Sequence, residues 1–470
     1  MHYPSEKIKK LLFFGALLLL LFTMLNPVWK IDLVFIALFL LVIGHTYLRE
    51  KLILVFLALR PVLDIWRDST LLTYQQTSIN VNAGLSIVVL VWGLWMLLPR
   101  ITKLQRVPSI LLMLLLVLLM GGSTLYSIAP LTTLIESIKF VVIALLFILA
   151  FLFVYEKKIA VQEILGAILL GAIVPILLGI SQLFFGGGIT TFGIRGRIFG
   201  TFAHPNVFAF FLLSLFFIHL EYAYIRIHDF WHSRLGQRHV ISGLLLLLLI
   251  MTFTRGAWVG LAVFLLMIGA LQYKKLLTWV LGISIGCYII FFPIDALVRQ
   301  YTGSSLQEYQ IVQRLTARNE DSDSIAWRLA LVEETIPIIA MRPILGYGYG
   351  TFELVWGDNR NMIHLWDDSA EAHNDYLRFS LELGIVGLVL YSLLLFLLLV
   401  RSGILYYEER DKEHTIALHL IAFILAFSAM SLADNMLHHT PVMWLTAVWW
   451  GAMFGVLEQE HIRTRWNFLR

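Results

Sequence analysis

The chain has 470 residues, 59% of them hydrophobic and only 14% charged, with a formal net charge of +4 and a single cysteine. A soluble domain averages about 25% charged residues, so the composition excludes a soluble globular protein and implies an integral membrane one. Lone Cys287 excludes an intramolecular disulfide framework and a cysteine metal site, and the small positive balance reports orientation in a membrane, not nucleic-acid binding.

Taken in chain order, fourteen apolar runs are candidate spans: 11–25, 31–48, 52–65, 84–98, 108–125, 134–154, 161–185, 206–224, 241–254, 256–271, 276–293, 380–401, 415–434 and 441–458. The first follows Lys7, Lys9 and Lys10 as a signal peptide would. Asn26-Pro27-Val28-Trp29 stands where a small-residue cleavage site would be needed, so a retained helix is the better reading. Run 52–65 is the weakest, interrupted by Arg60-Pro61 and ending near Asp64. Runs 241–254 and 256–271 read as half-helices meeting at Arg255. Several runs fall short of the ~20 residues that cross a hydrocarbon core, which leaves twelve to fourteen spans. Alternate crossings return to basic loops such as Arg49/Lys51, Arg100/Lys103/Arg106, Lys157/Lys158 and Arg401/Arg410/Lys412, so the positive-inside rule puts both termini in the cytoplasm. The expected architecture is an all-α polytopic membrane protein with one large extracytoplasmic loop. It divides into N-terminal helices 1–185, central helices with an Arg-bearing outer loop 186–293, the large loop 294–379, and C-terminal helices 380–470.

Within the large loop, Ser324 is placed to cap a helix with Ile325, Leu329, Val332 and Ile336 on one face, kinked or ended by Pro337. Such a helix would lie on the outer leaflet. Gly346-Tyr347-Gly348-Tyr349-Gly350 reads as a turn-rich loop and lacks the features of a nucleotide site. Asp321-Ser322-Asp323 reads as solvated acid, Glu136 and Lys139 as a structural pair, and His204-Pro205-Asn206 as the shaping of a helix start.

The loop 294–379 carries seven arginines and no lysine, among them Arg328 and Arg342. Guanidinium forks match phosphate and carboxylate oxygens, so with Arg195, Arg197 and Arg255 the outer face holds a potential anion site; the alternative is solvated or headgroup-bound arginine. Arg255 stands apart, because a charge inside an apolar stretch is a functional feature by default. His373 precedes Asn374, a good N-cap, where the loop turns into a helix over 375–400, ~39 Å long. Its first turns would therefore project from a ~30 Å core. A neutral imidazole there could serve as a base or merely cap the helix, and both readings stay open.

His373, Asn374, Gly384 and Gly387 match the His-(Asn/Ser/Gln)-x9-Gly-x-x-(Gly/Thr/Tyr) pattern of the O-antigen ligase and polymerase superfamily, which this chain resembles over about 180–460. Arg195 through Asn206, Thr254-Arg255-Gly256-Ala257-Trp258, Ala326-Trp327-Arg328 and Gly346-Tyr347-Gly348 after Pro343 are similar to the family's other segments. The resemblance implies a metal-independent, inverting glycosyltransferase with an extracytoplasmic site and no cofactor. Its donor would be a glycan on undecaprenyl diphosphate; its acceptor lipid A-core in a ligase, another lipid-linked repeat in a polymerase, or a pilin in a third branch. His373 would be the base. Arg255 and Arg328, with Arg195 or Arg197, would hold the diphosphate, and Arg342 and Asn374 would help bind substrate. A flippase or transporter is the rival, though no internal repeat of the kind transporters carry is visible.

Overall fold

The computed structural model describes residues 41–74, 77–191, 194–227, 236–275, 277–278, 282, 286, 290, 300, 324–359, 371–408 and 411–468. Candidate span 11–25, most of 31–48 and 276–293, and Asp321-Ser322-Asp323 lie outside the described residues. Seven described helices are long and apolar enough to cross a membrane: Val81–Arg106, Pro130–Tyr155, Val161–Phe185, Pro205–Ile225, Asp375–Glu408, Glu413–Ser431 and Thr440–His461. Shorter apolar helices cover Ile110–Leu125, His239–Met251 and Arg255–Leu271. The chain is thus a mostly helical, multi-pass membrane protein. With no water in the hydrocarbon core, helices are the form in which these leucine-rich runs bond every backbone group internally.

The helices needed below are α1 (Leu52–Leu63), α2 (Val81–Leu97), α3 (Pro130–Tyr155), α4 (Pro205–Ile227), α5 (Arg255–Leu271), α6 (Ser324–Met341), α7 (Phe352–Asp358), α8 (Asp375–Glu408), α9 (Asp411–Ser431) and α10 (Thr440–Phe468). Helix α3 is the spine: Val142 through Val154 is buried without interruption. It packs on α10, where a Cβ at Gly451 or Gly455 would run into the Phe147 and Phe151 carbonyls. Small residues at such a crossing let two helix backbones touch, the main source of attraction where lipid is as apolar as leucine. Outer helices instead leave large apolar side chains such as Leu111, Leu118, Leu170 and Phe396 exposed.

Charged groups gather at one end of the bundle. Lys51 pairs with Glu163 (2.6 Å), and Arg100 joins Glu50 (2.7 Å) to Glu156 (3.0 Å), which also holds Lys103 (2.6 Å). Three of the basic loops therefore meet. Helix α2 runs from this cluster to Asn80, and at that other end the chain departs from all-α. Antiparallel hairpins β1–β2 (Thr70–Tyr74, Thr77–Asn80) and β3–β4 (Ile189–Thr191, Ile194–Arg197) form in Thr- and Ile-rich stretches between apolar runs.

The helix expected to begin at Ser324 is present as α6, and it does not end at Pro337 but runs on to Met341. Its Leu329 and Ile336 are exposed, while Trp327, Leu331 and Ile338 make the buried face.

Candidate active site

At the hairpin end lies a cavity of about 940 Å³. His373, Arg255, Arg328 and Arg197 all line it, although they come from four separate stretches of chain. The two runs flanking Arg255 are indeed separate helices, since α5 begins at Arg255 and the preceding helix ends at Met251. Phe253 in the connection has φ +54°.

His373 is presented by the start of α8. The Asn374 side chain accepts a hydrogen bond from the Leu377 amide (3.1 Å), the N-cap expected from sequence, and the Asn374 amide donates to Asn435 Oδ1 (3.1 Å). His373 itself has φ +43°, a left-handed conformation that costs an L-residue about 1–2 kcal/mol. The Trp327 ring meets the imidazole edge-on at 5.5 Å. Nδ1 is buried without a hydrogen bond among the described residues and lies 3.7 Å from Asp434 Oδ1.

Asp434, in the turn between α9 and α10, organises the cavity floor. It is 2% exposed and accepts from Asn206 Nδ2 (2.8 Å), His439 Nε2 (3.0 Å) and the Asn435 amide (2.8 Å). Burial alone would raise its carboxyl; the imidazoles of His373 and His439 outweigh that and hold it well below the usual range. Burial likewise opposes charge on His439, and Asp434 reverses it, raising the imidazole above its ordinary value. His204 behaves oppositely: burial and then Arg197 push it down to about 4. Its Nδ1 accepts from the Asn206 amide (3.1 Å), as only an unprotonated nitrogen can. Burial and Arg378 hold His438 well below its usual value, and its Nδ1 lies 3.0 Å from Arg378 Nη1.

The arginines divide by what they touch. Arg328 shares a field with Asp434 and Arg255: burial pulls it down, Asp434 raises it and Arg255 lowers it further. Arg197 is 1% exposed, and its guanidinium donates to the Thr252 carbonyl (2.9 Å), Asn206 Oδ1 (3.0 Å) and Thr254 Oγ1 (3.2 Å). It braces the segment leading into Arg255. Arg342 is exposed, stacks at 4.8 Å on Tyr347 and does not line the cavity. Asn374 caps α8 and does not line it either. Arg195 falls in β4, its side chain outside what is described. Another loop arginine, Arg378, leaves the surface altogether, buried on Glu382 at 3.0 Å. Glu136 and Lys139 pair as expected, at 2.5 Å, and Lys139 reaches the cavity wall.

Sequence reasoning passed over several lining groups. Asp434 and His439 lie in a short interhelical turn, with no spacing that ties them to His373. Arg60, Asp64, Asn80 and Asn82 come from the N-terminal third, read as generic helices. One signal was present there: Arg60 and Asp64, four apart in an apolar run, form a buried 2.9 Å ion pair on the cavity wall.

Gly384 explains the spacing from His373. It interrupts α8 with φ +62° and ψ −163°, and a Cβ there would strike the Ile344 and Leu345 backbone. In an unbroken helix the Ile385 and Val386 amides would bond the Leu381 and Glu382 carbonyls. Here those amides donate to the Pro343 and Ile344 carbonyls (2.8 and 3.4 Å), while the Tyr347 and Gly348 amides donate to the Leu381 and Glu382 carbonyls (3.2 and 2.8 Å). The glycine-rich loop replaces two bonds of the helix with four of its own. Gly346 is needed for the same approach, having φ +67° with the Leu381 and Glu382 backbone against it.

A multi-pass membrane protein with a polar cavity at one end of its bundle, lined by arginines and a histidine at a helix mouth, is the class this arrangement defines. Residues 240–392, about a third of the chain, match the family described as O-Antigen ligase, and that stretch contains Arg255, Arg328, His373, Gly384 and Gly387. A Rickettsia felis protein provisionally named polysaccharide ligase is 28% identical over 158 residues, covering 29% of this chain and 38% of the relative. The chain therefore spans well under half of that relative's length. The likeness carried by the motifs is found again in both comparisons.

Proposed function

We propose that this chain is a membrane glycosyltransferase moving a glycan from undecaprenyl diphosphate to a hydroxyl acceptor at the outer face of the bacterial cytoplasmic membrane. The observation that carries the reading is the convergence of His373, Arg255 and Arg328 on one cavity, with Asp434 behind the imidazole. The Asp434 carboxylate favours the tautomer protonated on Nδ1, which leaves Nε2 as the base. The acceptor oxygen attacks the anomeric carbon opposite the diphosphate, and its proton passes to His373 Nε2. The bond from carbon to diphosphate breaks, its electron pair leaves on the phosphate oxygen, and the configuration inverts. Arg255 and Arg328 neutralise the charge that develops on that oxygen. Lipid A-core as acceptor makes the protein a ligase, and a second lipid-linked repeat makes it a polymerase.

His373→Ala is expected to cut transfer by about 10²–10⁴-fold and Arg255→Ala by about 10²–10³-fold, with membrane insertion intact. Full transfer by both variants would sink the catalytic reading. In a knockout strain, single-repeat products indicate a polymerase, and long unattached lipid-linked chains a ligase.

A further inference from the structure

We infer that the part of the cavity walled by Arg60, Asp64, Asn80 and Asn82 is the acceptor subsite, holding the free vicinal hydroxyls of a neutral sugar ring. The inference rests on the glycosyltransferase reading above and adds to it the N-terminal third of the chain, which lies outside the family match.

The wall is built as a closed polar set. Arg60 Nη1 donates to Asp64 Oδ1 (2.9 Å) and to Asn82 Oδ1 (3.1 Å), Asn82 Nδ2 donates to Asp64 Oδ1 (2.9 Å), and Arg60 Nη2 reaches Thr440 Oγ1 (2.9 Å). Within the set one guanidinium balances one carboxylate, and neighbouring Arg67, which also lines the cavity, is engaged by Asp68 (3.6 Å) and by the Asp64 and Thr201 carbonyls (3.5 and 3.2 Å), so this wall offers a phosphate less free positive charge than the neighbourhood of Arg255 and Arg328. Every group is also held in place, because Arg60 is 3% exposed and packs over Trp444 at 5.6 Å. Arg60 Nε is buried without a hydrogen bond among the described residues, and two further atoms of the wall are left over. Asp64 Oδ2 and Asn80 Nδ2 have no hydrogen-bond partner among the described residues. They give one acceptor and one donor, the complement of a diol in which one hydroxyl donates and its neighbour accepts.

Stability does not account for the set. A buried ion pair is often matched or bettered by apolar residues of the same volume, and α1, apolar at every position but Arg60, could have supplied them. Position argues for the acceptor. Thr440, where Arg60 ends, directly follows His439, whose imidazole bonds Asp434 beside His373. A sugar held here lies along the wall that leads to the base, while Arg255 and Arg328 come from α5 and α6. At about 940 Å³ the cavity stands at the upper end of the usual range for ligand pockets, with room for more than a diphosphate.

The test uses the full chain in nanodiscs, with undecaprenyl-diphosphate-linked glycan from the source cells as donor. Lipid A-core and the lipid-linked repeat serve in turn as acceptor. Asn80→Ser keeps an oxygen able to cap α2 in place of Asn80 Oδ1 (Ala83 amide, 2.9 Å) and removes the Nδ2 donor, which the shorter hydroxyl does not reach to replace. The double variant Arg60→Met with Asp64→Leu removes both charges together and so leaves neither stranded. Asn80→Ser should raise the acceptor KM roughly fivefold to tenfold, the effect of one hydrogen bond, and the double variant by about 100-fold, with the donor KM unchanged in both. An unchanged acceptor KM, or a donor KM that rises equally, overturns the subsite. Absence of transfer by the wild-type chain to either acceptor overturns the glycosyltransferase reading itself and this inference with it.

Discussion

His204 and His439 line one cavity yet lie on opposite sides of the ordinary imidazole pKa, and this fixes how the site responds to pH. Between 6.5 and about 4 the unfolded chain protonates His204 and the folded chain does not, so stability falls as pH falls through that window. His204→Asn, which keeps an acceptor for the Asn206 amide, should flatten the acid-side loss of melting temperature. Equal pH profiles for variant and wild type would refute the assignment. For His439 the sign is reversed. Its raised pKa contributes stability that is full below 6.5 and lost as pH rises through the raised value, and the depressed Asp434 carboxyl contributes until pH falls through its own. His439→Gln should therefore cost most in weakly acidic buffer and least in alkaline buffer, read by thermal unfolding in detergent. The sequence made His373, Arg255 and Arg328 legible because each stands at a boundary: a loop turning into a helix, a break in an apolar run, an arginine-only loop. Asp434 was not legible as a partner, because only tertiary folding brings its turn beneath His373. Arg197 was legible as an arginine near the site, but its use as a brace depends on Thr252, Asn206 and Thr254, which no local pattern links to it.

Among the elements, α8 departs furthest from what periodicity suggests. A continuous apolar run from 380 to 401 predicts an unbroken helix, and the helix does extend through it, but Gly384 interrupts it. The physical cause is a loop some forty residues upstream that contributes the bonding partners, so the break is invisible to local propensity. Gly384→Ala places a methyl group at positive φ against another backbone; a loss of about 1–3 kcal/mol from conformation alone should appear as a lower melting temperature. The same part of α8 carries the buried Arg378–Glu382 pair, with Glu382 also accepting from the Phe352 amide (3.1 Å). Glu382→Leu strands a buried cation and should destabilise by about 3–5 kcal/mol, whereas Arg378→Met combined with Glu382→Leu should restore much of that loss. If the double variant is no more stable than the single one, the pair is not the cause. Pro337 is the opposite lesson: a residue that usually ends a helix is carried inside α6.

For the whole molecule, three of the basic loops share one end of the bundle, where Lys51, Arg100 and Lys103 meet through Glu50, Glu156 and Glu163. The hairpins were missed, since short strands between spans leave almost no pattern in an apolar sequence. The proposed orientation can be checked with the single native cysteine removed by Cys287→Ala. A cysteine at exposed Arg342 should react with an impermeant maleimide on intact spheroplasts, and one at exposed Tyr407 only after permeabilisation. The reverse pattern would invert the molecule.

The bonds exchanged at Gly384 also have a mechanical meaning. The stretch from Asp375 to Leu383 is moored to the Pro343–Gly348 loop, and through Tyr126 and Ile128 (2.8 and 3.2 Å) to the chain just before α3. Ile385 and Val386, just past the break, are tied to the same loop by their own amides, so the interruption is a splice that clamps both halves of α8 and not a free hinge. The start of α8, next to His373, is thus fastened through that loop to the chain leading into the long buried helix α3.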